Sequence, residues 1–389
     1  LLLNIPLSIQ HLFAMFGATV LVPFLFNVNP TTCLFMNGIG TLLYLFLTKG
    51  KIPSYLGSSF AFISPVMVIL STSSYSDAQS GFIVFGLIFI LFSLIIKYTG
   101  TGWIDIIFPP ACMGAIIAVI GLELAPTAAG MAGLTGDVID FRNIAVSMFT
   151  LAVTIIGSVA FKGFMAIIPI LFGVICGYIF SFFMGLVDLA PVAAAPWFQM
   201  PHFYQPTFNL NAILIIAPAA LVVLAEHIGH LVVTGNVVER NLIKDPGLAR
   251  SLFADGCSNV LSGFFGATPN TTYGENIGVM AITKVYSVWV IGGAAVMAIC
   301  LSFVGKLSEL IRSIPVPVMG GVCILLFGVI AASGIRVLVE SKVDYSKSAN
   351  LVMSSVIMIV GLSGAKLTFG TISVQGACHT GCDFNELDF

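Results

Sequence analysis

The most regular feature of the sequence is a succession of long apolar runs separated by short polar stretches. Each run has about the 20 residues that an α-helix needs to cross roughly 30 Å of hydrocarbon. The runs lie near residues 5–26, 32–48, 81–97, 104–125, 143–160, 164–186, 210–235, 249–266, 286–304, 314–333 and 349–365. Two further segments, near 55–70 and 270–284, are shorter and are broken by Gly, Pro, Ser, Thr and Asn. The pattern predicts an all-α polytopic membrane protein.

The distribution of basic residues tests whether the two broken segments also cross the membrane. With both counted as crossings and the N-terminus in the cytoplasm, the chain crosses thirteen times, and eleven of its fifteen Lys and Arg residues fall on the cytoplasmic side. Only Arg142, Lys306, Arg312 and Lys366 fall on the other side. Because cytoplasmic loops are enriched in Lys and Arg, we expect both broken segments to cross.

The two halves of the sequence resemble each other. QHLFAMFGATV (10–20) aligns with EHIGHLVVTGN (226–236), PPACMGAIIAVIG (109–121) aligns with PVPVMGGVCILLFG (315–328), and the broken segments hold matching places. Seven crossings separate the starts of the two repeats, and an odd number reverses the orientation. The sequence therefore predicts an inverted repeat. Its discontinuous third and tenth crossings would face one another and offer free backbone groups to a ligand.

Composition agrees with this class and excludes others. The chain is 58% hydrophobic and 8% charged, with a mean hydropathy of +1.07, so the lipid bilayer is its expected surrounding. A net charge of -2 shows no basic excess, which argues against nucleic acid as a partner. The eight cysteines are scattered mostly one to an apolar segment and are interpreted as small hydrophobic residues.

Charged and titratable residues stand out against this background. AEHIGH (225–230) places Glu226, His227 and His230 inside an apolar run, and Glu275 lies in the second broken segment. A carboxylate inside a membrane is costly unless it pairs, is protonated or faces water, so both glutamates are predicted to be functional. His230 lies one turn beyond Glu226 on the same face and could relay protons, while His227 points elsewhere. A plain hydrogen bond between helices is the alternative for Glu226 and for His230.

Two other kinds of site are disfavoured. Glu226, His227 and His230 resemble part of a zinc helix, but the histidine spacing is i,i+3 and a third strong ligand is missing, so neither a metal site nor a cofactor is expected. An intramembrane hydrolase would need a nucleophile and a base, and no such motif occurs in the sequence. The chain is therefore not expected to be an enzyme.

A family resemblance rests on ENIGVMAITK (275–284). This stretch resembles the signature of the nucleobase/ascorbate transporter family, and every fixed position is met, by Glu275, Asn276, Gly278, Thr283 and Lys284. The Gln10-His11 pair resembles that family's QH pair, and the likeness to its bacterial uracil-transporting branch runs from residue 1 to about Lys366. Glu275 stands where purine-transporting relatives have Gln and ascorbate-transporting ones have Pro, which favours a pyrimidine.

The resemblance implies a proton-coupled uracil importer of the bacterial cytoplasmic membrane, with a seven-plus-seven inverted repeat that works by alternating access. Glu226 and Glu275 would accept hydrogen bonds from the ring N–H groups of uracil, and backbone donors near Phe60 and Gly274 would hold its carbonyl oxygens. The remaining implied site residues are Ala18 and Tyr273, which would line the pocket, and His230, which would support Glu226 and the proton step.

The resemblance also implies a division into domains. Residues 1–103 and 210–305 would form a core domain, and residues 104–209 and 306–376 a gate domain. The family would continue with a fourteenth helix, whereas residues 377–389 form a polar tail that cannot span a bilayer, so that helix is expected to be missing. Two alternatives are left open: another nucleobase such as xanthine or uric acid as the substrate, and an anion exchanger or channel of the same fold. The chain could also form a homodimer.

Overall fold

The computed structural model of the chain describes residues 5–103, 109–136, 140–363, 366–369 and 372–375, and it describes their side chains except for Ala18, Phe164 and the last two stretches. The α-helices are α1 (Ile5–Ala14), α2 (Phe16–Leu25), α3 (Pro30–Leu47), α4 (Ile63–Leu70), α5 (Tyr75–Thr99), α6 (Pro110–Glu123), α7 (Ala125–Met131), α8 (Phe141–Ala160), α9 (Pro169–Phe183), α10 (Ala190–Ala194), α11 (Leu210–Ile216), α12 (Ala219–Val237), α13 (Leu248–Phe265), α14 (Gly274–Thr283), α15 (Val288–Ser302), α16 (Gly305–Arg312), α17 (Val316–Glu340) and α18 (Ser348–Leu362). The strands are β1 (Leu56–Ser58), β2 (Asn270–Thr272), β3 (Lys366–Phe369) and β4 (Ile372–Gln375), and shorter 3-10 and π turns cover Phe60–Phe62, Gly163–Ile167 and Ile243–Gly247.

The predicted apolar runs coincide with helices wherever they are described. Among the described residues, seven helices or consecutive helix pairs have the length and composition to cross a membrane: Ile5–Leu25, Pro30–Leu47, Tyr75–Thr99, Pro110–Met131, Phe141–Ala160, Leu210–Val237 and Val316–Glu340. Four shorter apolar helices, Phe60–Leu70, Pro169–Phe183, Val288–Ser302 and Ser348–Leu362, fall on other predicted crossings. The helical, polytopic class is confirmed, while thirteen crossings stay a prediction.

Polar side chains mark where several of these helices begin. Asn29 accepts a hydrogen bond of 2.9 Å from the backbone N–H of Thr31 at the start of α3. Ser74 and Asp77 form a reciprocal capping box at the start of α5. Such caps satisfy backbone N–H groups that have no partner inside the helix. They fix the ends of α3 and α5, two helices that support the candidate site.

The apolar run at 210–235 is divided at Pro218. The structure places α11 before this proline and α12 after it, where the sequence predicted one continuous crossing. Proline has no backbone N–H and its ring clashes with the preceding turn, so the regular helical pattern is interrupted there. Glu226 consequently lies about two turns after the start of α12.

The chain forms two compact units, each built from two separated stretches. Unit 1 comprises Leu1–Gly102 and Pro191–Arg312, and unit 2 comprises Trp103–Ala190 and Ser313–Phe389. Residues 191–209 and 306–312, which the sequence prediction assigned to the gate domain, lie in unit 1. The assignment of core and gate roles to particular segments stays a prediction.

Unit 1 is held together by close helix packing through small residues. Helix α5 packs along α13, and a Cβ atom added to Gly86 would lie 2.7 Å from the carbonyl oxygen of Gly256. A Cβ added to Gly256 would lie equally close to the carbonyl of Gly86, at 2.7 Å. Side chains larger than glycine would force the two backbones apart. The α5–α13 pair therefore gives the site a rigid support.

Unit 2 has a comparable small-residue contact. Helix α17 packs against α6 and α8, and a Cβ added to Gly334 would lie 2.6 Å from the carbonyl oxygen of Gly114. Helices α6 and α17 carry the aligned motifs PPACMGAIIAVIG and PVPVMGGVCILLFG, so equivalent elements of the two predicted repeats meet here. The prediction for residues 377–389 lies outside the described residues.

Candidate functional site

The two broken segments meet in unit 1 as a short antiparallel ladder. Strand β1 pairs with β2 in the register Leu56↔Thr272, Gly57↔Thr271 and Ser58↔Asn270. The ladder is extended by a hydrogen bond from the N–H of Tyr273 to Tyr55 O (3.0 Å) and by another from the N–H of Ser59 to Pro269 O (2.9 Å). The expectation that the broken segments face one another is confirmed. Their pairing as strands was not predicted.

A helix start follows each strand. The Phe60–Phe62 turn and α4 come after β1, and α14 begins at Gly274, directly after Tyr273. Neither N-cap residue, Ser59 or Tyr273, makes a side-chain capping bond within the described part of the chain. The first N–H groups of a helix lack intrahelical acceptors and carry the positive end of its dipole. Both starts are therefore suited to a carbonyl oxygen or an anion.

The two candidate carboxylates lie near these helix starts. Glu275 is in the first turn of α14, and Glu226 lies on α12, which packs against α14. Both residues are half-buried, and they are close enough for their charges to repel each other. Two partly accessible carboxylates in one apolar surrounding form a strong acceptor of N–H groups.

His230 lies between β2 and the start of α14. Its Nδ1 is 3.1 Å from the hydroxyl oxygen of Thr272, and a Cβ added to Gly274 would lie 3.4 Å from its Nε2. The imidazole thus borders the backbone where a ligand would meet the helix start. Support of Glu226 by His230 stays a prediction, whereas the hydrogen bond of the His230 ring joins it to Thr272.

The predicted pocket residues lie in different surroundings. Tyr273 is 3% exposed, and its hydroxyl donates a hydrogen bond of 3.1 Å to the carbonyl of Ser58. Phe60 is partly buried and packs on the apolar cluster that contains Tyr273 and Met15. Ala18 lies on α2, and its side chain is outside the part that the structure describes. Tyr273 therefore stabilises the ladder from within, whereas Phe60 lies at its edge.

The signature asparagine joins the second broken segment to the first crossing. Asn276 Nδ2 donates to the carbonyl oxygen of His11 at 3.1 Å and lies 3.0 Å from His11 Nδ1. Both residues are buried. This contact gives a physical reason why the Gln10-His11 pair and the ENIGVMAITK stretch occur in one sequence: each positions the other.

A buried polar network behind the site was missed at the sequence level. His227 Nε2 is 2.8 Å from Ser251 Oγ, which is 2.6 Å from the hydroxyl of Tyr44. His227 Nδ1 lies 3.1 Å from Asp255 Oδ2, and neither of these two side chains is exposed. His227 was expected to point elsewhere than the face of Glu226 and His230, and in the structure its ring lies in the interior against Asp255.

The sequence did contain a signal for this network. Along α13, polar residues recur at helical spacing inside an apolar run and form one buried face: Ser251, Asp255, Ser258, Asn259 and Ser262. A polar stripe on a membrane helix indicates contact with other polar groups in the protein interior. Asp255 could have been identified as a partner for His227 by that argument.

Solved structures with the same fold are membrane transport proteins. The chain is similar to the transmembrane domain of the cyanobacterial bicarbonate transporter BicA, with a TM-score of 0.70, 15% identity, and 92% of this chain and 94% of that chain covered. It is also similar to the murine anion transporter Slc26a9 in its inward-facing state, with a TM-score of 0.67, 12% identity, and 93% and 64% covered. The fold is therefore the seven-plus-seven inverted repeat of membrane transporters.

Sequence comparison defines the family. Residues 4–369 match the Permease family, Xan_ur_permease, and the chain belongs to it. It is 65% identical to the uracil permease of Escherichia coli K12 over 379 residues, covering 97% of this chain and 88% of the relative. It is 61% identical to the uracil permease of Paenibacillus larvae, covering 99% and 94%, and 46% identical to that of Bacillus subtilis, covering 96% and 88%. The protein is thus a multi-pass membrane transporter and not an enzyme.

Proposed function

We propose that the protein imports uracil with protons across the bacterial cytoplasmic membrane by alternating access, with its N-terminus inside. The observation that carries this proposal is that Glu275 lies in the first turn of α14, which begins at Gly274, and that Glu226 lies on α12, which packs against α14. Three relatives that are 46% to 65% identical are named uracil permeases, which supports the same substrate.

The chemistry of uracil matches this arrangement. The ring presents N–H donors and C=O acceptors in alternation, so a binding site needs acceptors and donors in turn. Glu226 and Glu275 supply acceptors, and the backbone near Phe60 and Gly274 supplies donors. Each N–H that meets a carboxylate makes a charge-assisted hydrogen bond, which is stronger than a neutral one.

Protons are the proposed coupling ion. Glu226 and His230 are titratable and lie one turn apart on α12, near a second carboxylate at Glu275. Proton uptake by Glu226 would remove its repulsion with the carboxylate of Glu275, leave Glu275 as the charged acceptor, and so favour binding of a neutral substrate. His230 also borders the start of α14, so a change in its charge would be felt at the proposed substrate contacts.

Anion transport is the competing function, because the structural neighbours include a bicarbonate transporter and an anion transporter. Two carboxylates at the candidate site argue against it, since they would repel a bicarbonate or sulfate ion. A xanthine or uric acid transporter is the alternative within nucleobase chemistry.

A binding competition separates these candidates. The purified chain in detergent is incubated with radiolabelled uracil and challenged with excess unlabelled uracil, xanthine, uric acid or bicarbonate. Displacement by uracil alone is expected. Displacement by xanthine or uric acid would identify a purine site, and displacement by bicarbonate or the absence of any uracil binding would refute the proposal.

A further inference from the structure

The outer edges of the β1–β2 ladder have unusual partners. In an antiparallel pair, every second residue directs its N–H and C=O away from the partner strand. Leu56 on β1 and Asn270 on β2 are in that position, because the backbone bonds flanking the ladder join the alternate residues. In a buried two-stranded ladder these outward groups need other partners or become costly.

On the β2 side the partner is the side chain of Asn259. Its Nδ2 donates to the carbonyl oxygen of Asn270 at 3.0 Å, and its Oδ1 accepts from the N–H of Asn270 at 2.6 Å. The amide of one side chain thus takes the place of a residue on a third strand. The side chain of Asn270 is held as well, by the hydroxyls of Ser258 and Ser262 at 3.2 and 3.1 Å.

On the β1 side the partner is Thr41 on α3. The N–H of Leu56 donates to the Thr41 hydroxyl at 2.9 Å, and the hydroxyl lies 3.3 Å from the carbonyl oxygen of the same residue. Thr41 and Asn259 therefore have the same relation to their strands. Each is fully buried and lies on the crossing that precedes its broken segment, the second and the ninth in the predicted repeat.

Helix α13, which carries Asn259, packs closely on its neighbours. Helix α13 packs on α5 through Gly86 and Gly256. The two backbones are so close there that α13 has little room to shift against α5. Asn259 Nδ2 also contacts the carbonyl and the side chain of Asp255, at 2.9 and 3.3 Å, and Asp255 in turn meets His227 on α12. The Asn259 side chain therefore connects β2 both to a rigid helix and to the helix of Glu226.

We infer that Thr41 and Asn259 are positioning residues, whose hydrogen bonds to Leu56 and Asn270 fix where the two helices after the ladder begin. This inference rests on the proposed function, because the helix starts are the proposed donors to uracil. Gly274 follows Asn270 by four residues, and Phe60 follows Leu56 by four. A shift of either strand is passed along this short extended backbone to the donor group.

The experiment measures uracil affinity and ligand-free thermal stability for substituted chains. Thr41→Val removes the hydroxyl and keeps the shape, while Thr41→Ser keeps the hydroxyl. Asn259→Ala removes the second contact independently, so either variant carries the test if the other does not fold. Ser93→Ala is the matched control, because Ser93 is buried and its Oγ donates a hydrogen bond of 2.6 Å to the carbonyl oxygen of Ala249 on α13, away from the ladder.

The expected result is a loss of uracil affinity of about tenfold or more for Thr41→Val and for Asn259→Ala, since each leaves a buried backbone pair unsatisfied and displaces a donor. Thr41→Ser is expected to restore binding to within about threefold of the parent, because the hydroxyl is again present. Ser93→Ala is expected to bind uracil as the parent does.

A double-mutant cycle separates positioning from general stabilisation. In a chain that carries Glu275→Gln, adding Asn259→Ala should cost less affinity than it does in the parent, because the helix start that Asn259 positions also carries residue 275, whose substrate contact is already weakened. Ser93→Ala should contribute independently of Glu275→Gln. Parent-like affinity in Thr41→Val and Asn259→Ala, or fully additive losses, would overturn the inference. Absence of binding by the parent itself would instead reject the proposed function.

Discussion

Neighbouring residues on α12 have different environments. Glu226 is half-buried and lies within electrostatic range of Glu275, whereas His227, one position on, is fully buried and contacts Asp255. An α-helix turns by about 100° per residue, so the side chain of Glu226 can border the candidate site while that of His227 lies in the interior. The AEHIGH stretch therefore places Glu226, the proposed substrate contact, next to His227, which attaches α12 to α13.

The Glu275 side chain gives the first prediction. Glu275→Ala should leave a substrate N–H without an acceptor and lose roughly 2–4 kcal/mol of uracil binding. Glu275→Gln keeps one acceptor oxygen and should lose less. Equilibrium binding of radiolabelled uracil measures both variants.

The control for this prediction is Glu340→Ala, which removes an exposed carboxylate of unit 2 that pairs with Arg336. It should bind uracil as the parent does. If Glu275→Ala also kept the parent's affinity, the assignment of this residue to the substrate would be wrong.

The second prediction concerns the buried pair on the other side of α12. His227→Leu should destabilise the fold by about 3–5 kcal/mol, because it leaves the carboxyl group of Asp255 buried with one partner fewer. The measurement is the thermal unfolding midpoint in detergent without ligand.

An exposed pair serves as the comparison. Lys51 Nζ lies 2.6 Å from Asp245 Oδ1 on the surface, where its hydrogen bond lowers the pKa of the Asp245 carboxyl. Exposed ion pairs contribute little to stability, so Lys51→Ala should leave the unfolding midpoint unchanged. An equal fall in both variants would contradict the special role of the buried pair.

For single residues, the sequence identified candidate site positions where one charged side chain occurs in an otherwise apolar run. Glu226 and Glu275 were recognisable because a carboxylate in an apolar run is rare and costly. Asp255 has the same property but lies among serines and an asparagine, in a run that is less apolar overall, and it was overlooked. The Thr41–Leu56 contact was beyond sequence reasoning, because a single threonine in a helix does not reveal which backbone group it meets.

At the scale of elements, the broken segments show what a short sequence can and cannot specify. Their Gly, Pro, Ser, Thr and Asn content predicted that the helices are interrupted, and the structure confirms it. Strands of three residues are too short to show the alternation of apolar and polar residues that identifies a strand. Their pairing also depends on residues more than two hundred positions apart. The division of the 210–235 run at Pro218 was visible in the sequence, as proline is the residue that interrupts helices.

The ladder gives a prediction at this scale. Gly57 is covered by the ring of Tyr273, and a Cβ added there would lie 2.7 Å from the Tyr273 hydroxyl oxygen and closer still to the ring. Gly57→Ala should displace Tyr273, break its hydrogen bond to Ser58 and weaken uracil binding by about tenfold or more. Affinity for uracil and the ligand-free unfolding midpoint are the measurements.

Gly292→Ala on α15 is the matched control, because the nearest atom to an added Cβ is 3.6 Å away, an ordinary contact. It should bind uracil normally. A Gly57→Ala chain with parent affinity would show that the ladder tolerates a shift of β1, and would weaken the view that this register sets the site.

At the scale of the whole molecule, repetition in the sequence was the most reliable guide. The aligned motifs predicted an inverted repeat, and the resemblance to known transporters of seven-plus-seven architecture agrees with it. The helices α6 and α17, which carry one pair of aligned motifs, pack on each other, and the broken segments, which are another matched pair, form one ladder. Side-chain partners within each unit depend on close packing and were accessible only from the structure.

The proposed coupling of uracil entry to protons is tested by uracil uptake into proteoliposomes that contain the chain. Radiolabelled uracil uptake is measured with an imposed inward proton gradient, with the same gradient plus a protonophore, and with an inward sodium gradient at fixed pH. We expect rapid accumulation in the first condition only, because Glu226 and His230 are the proposed titratable pair. Accumulation that follows the sodium gradient and is unaffected by the protonophore would contradict it.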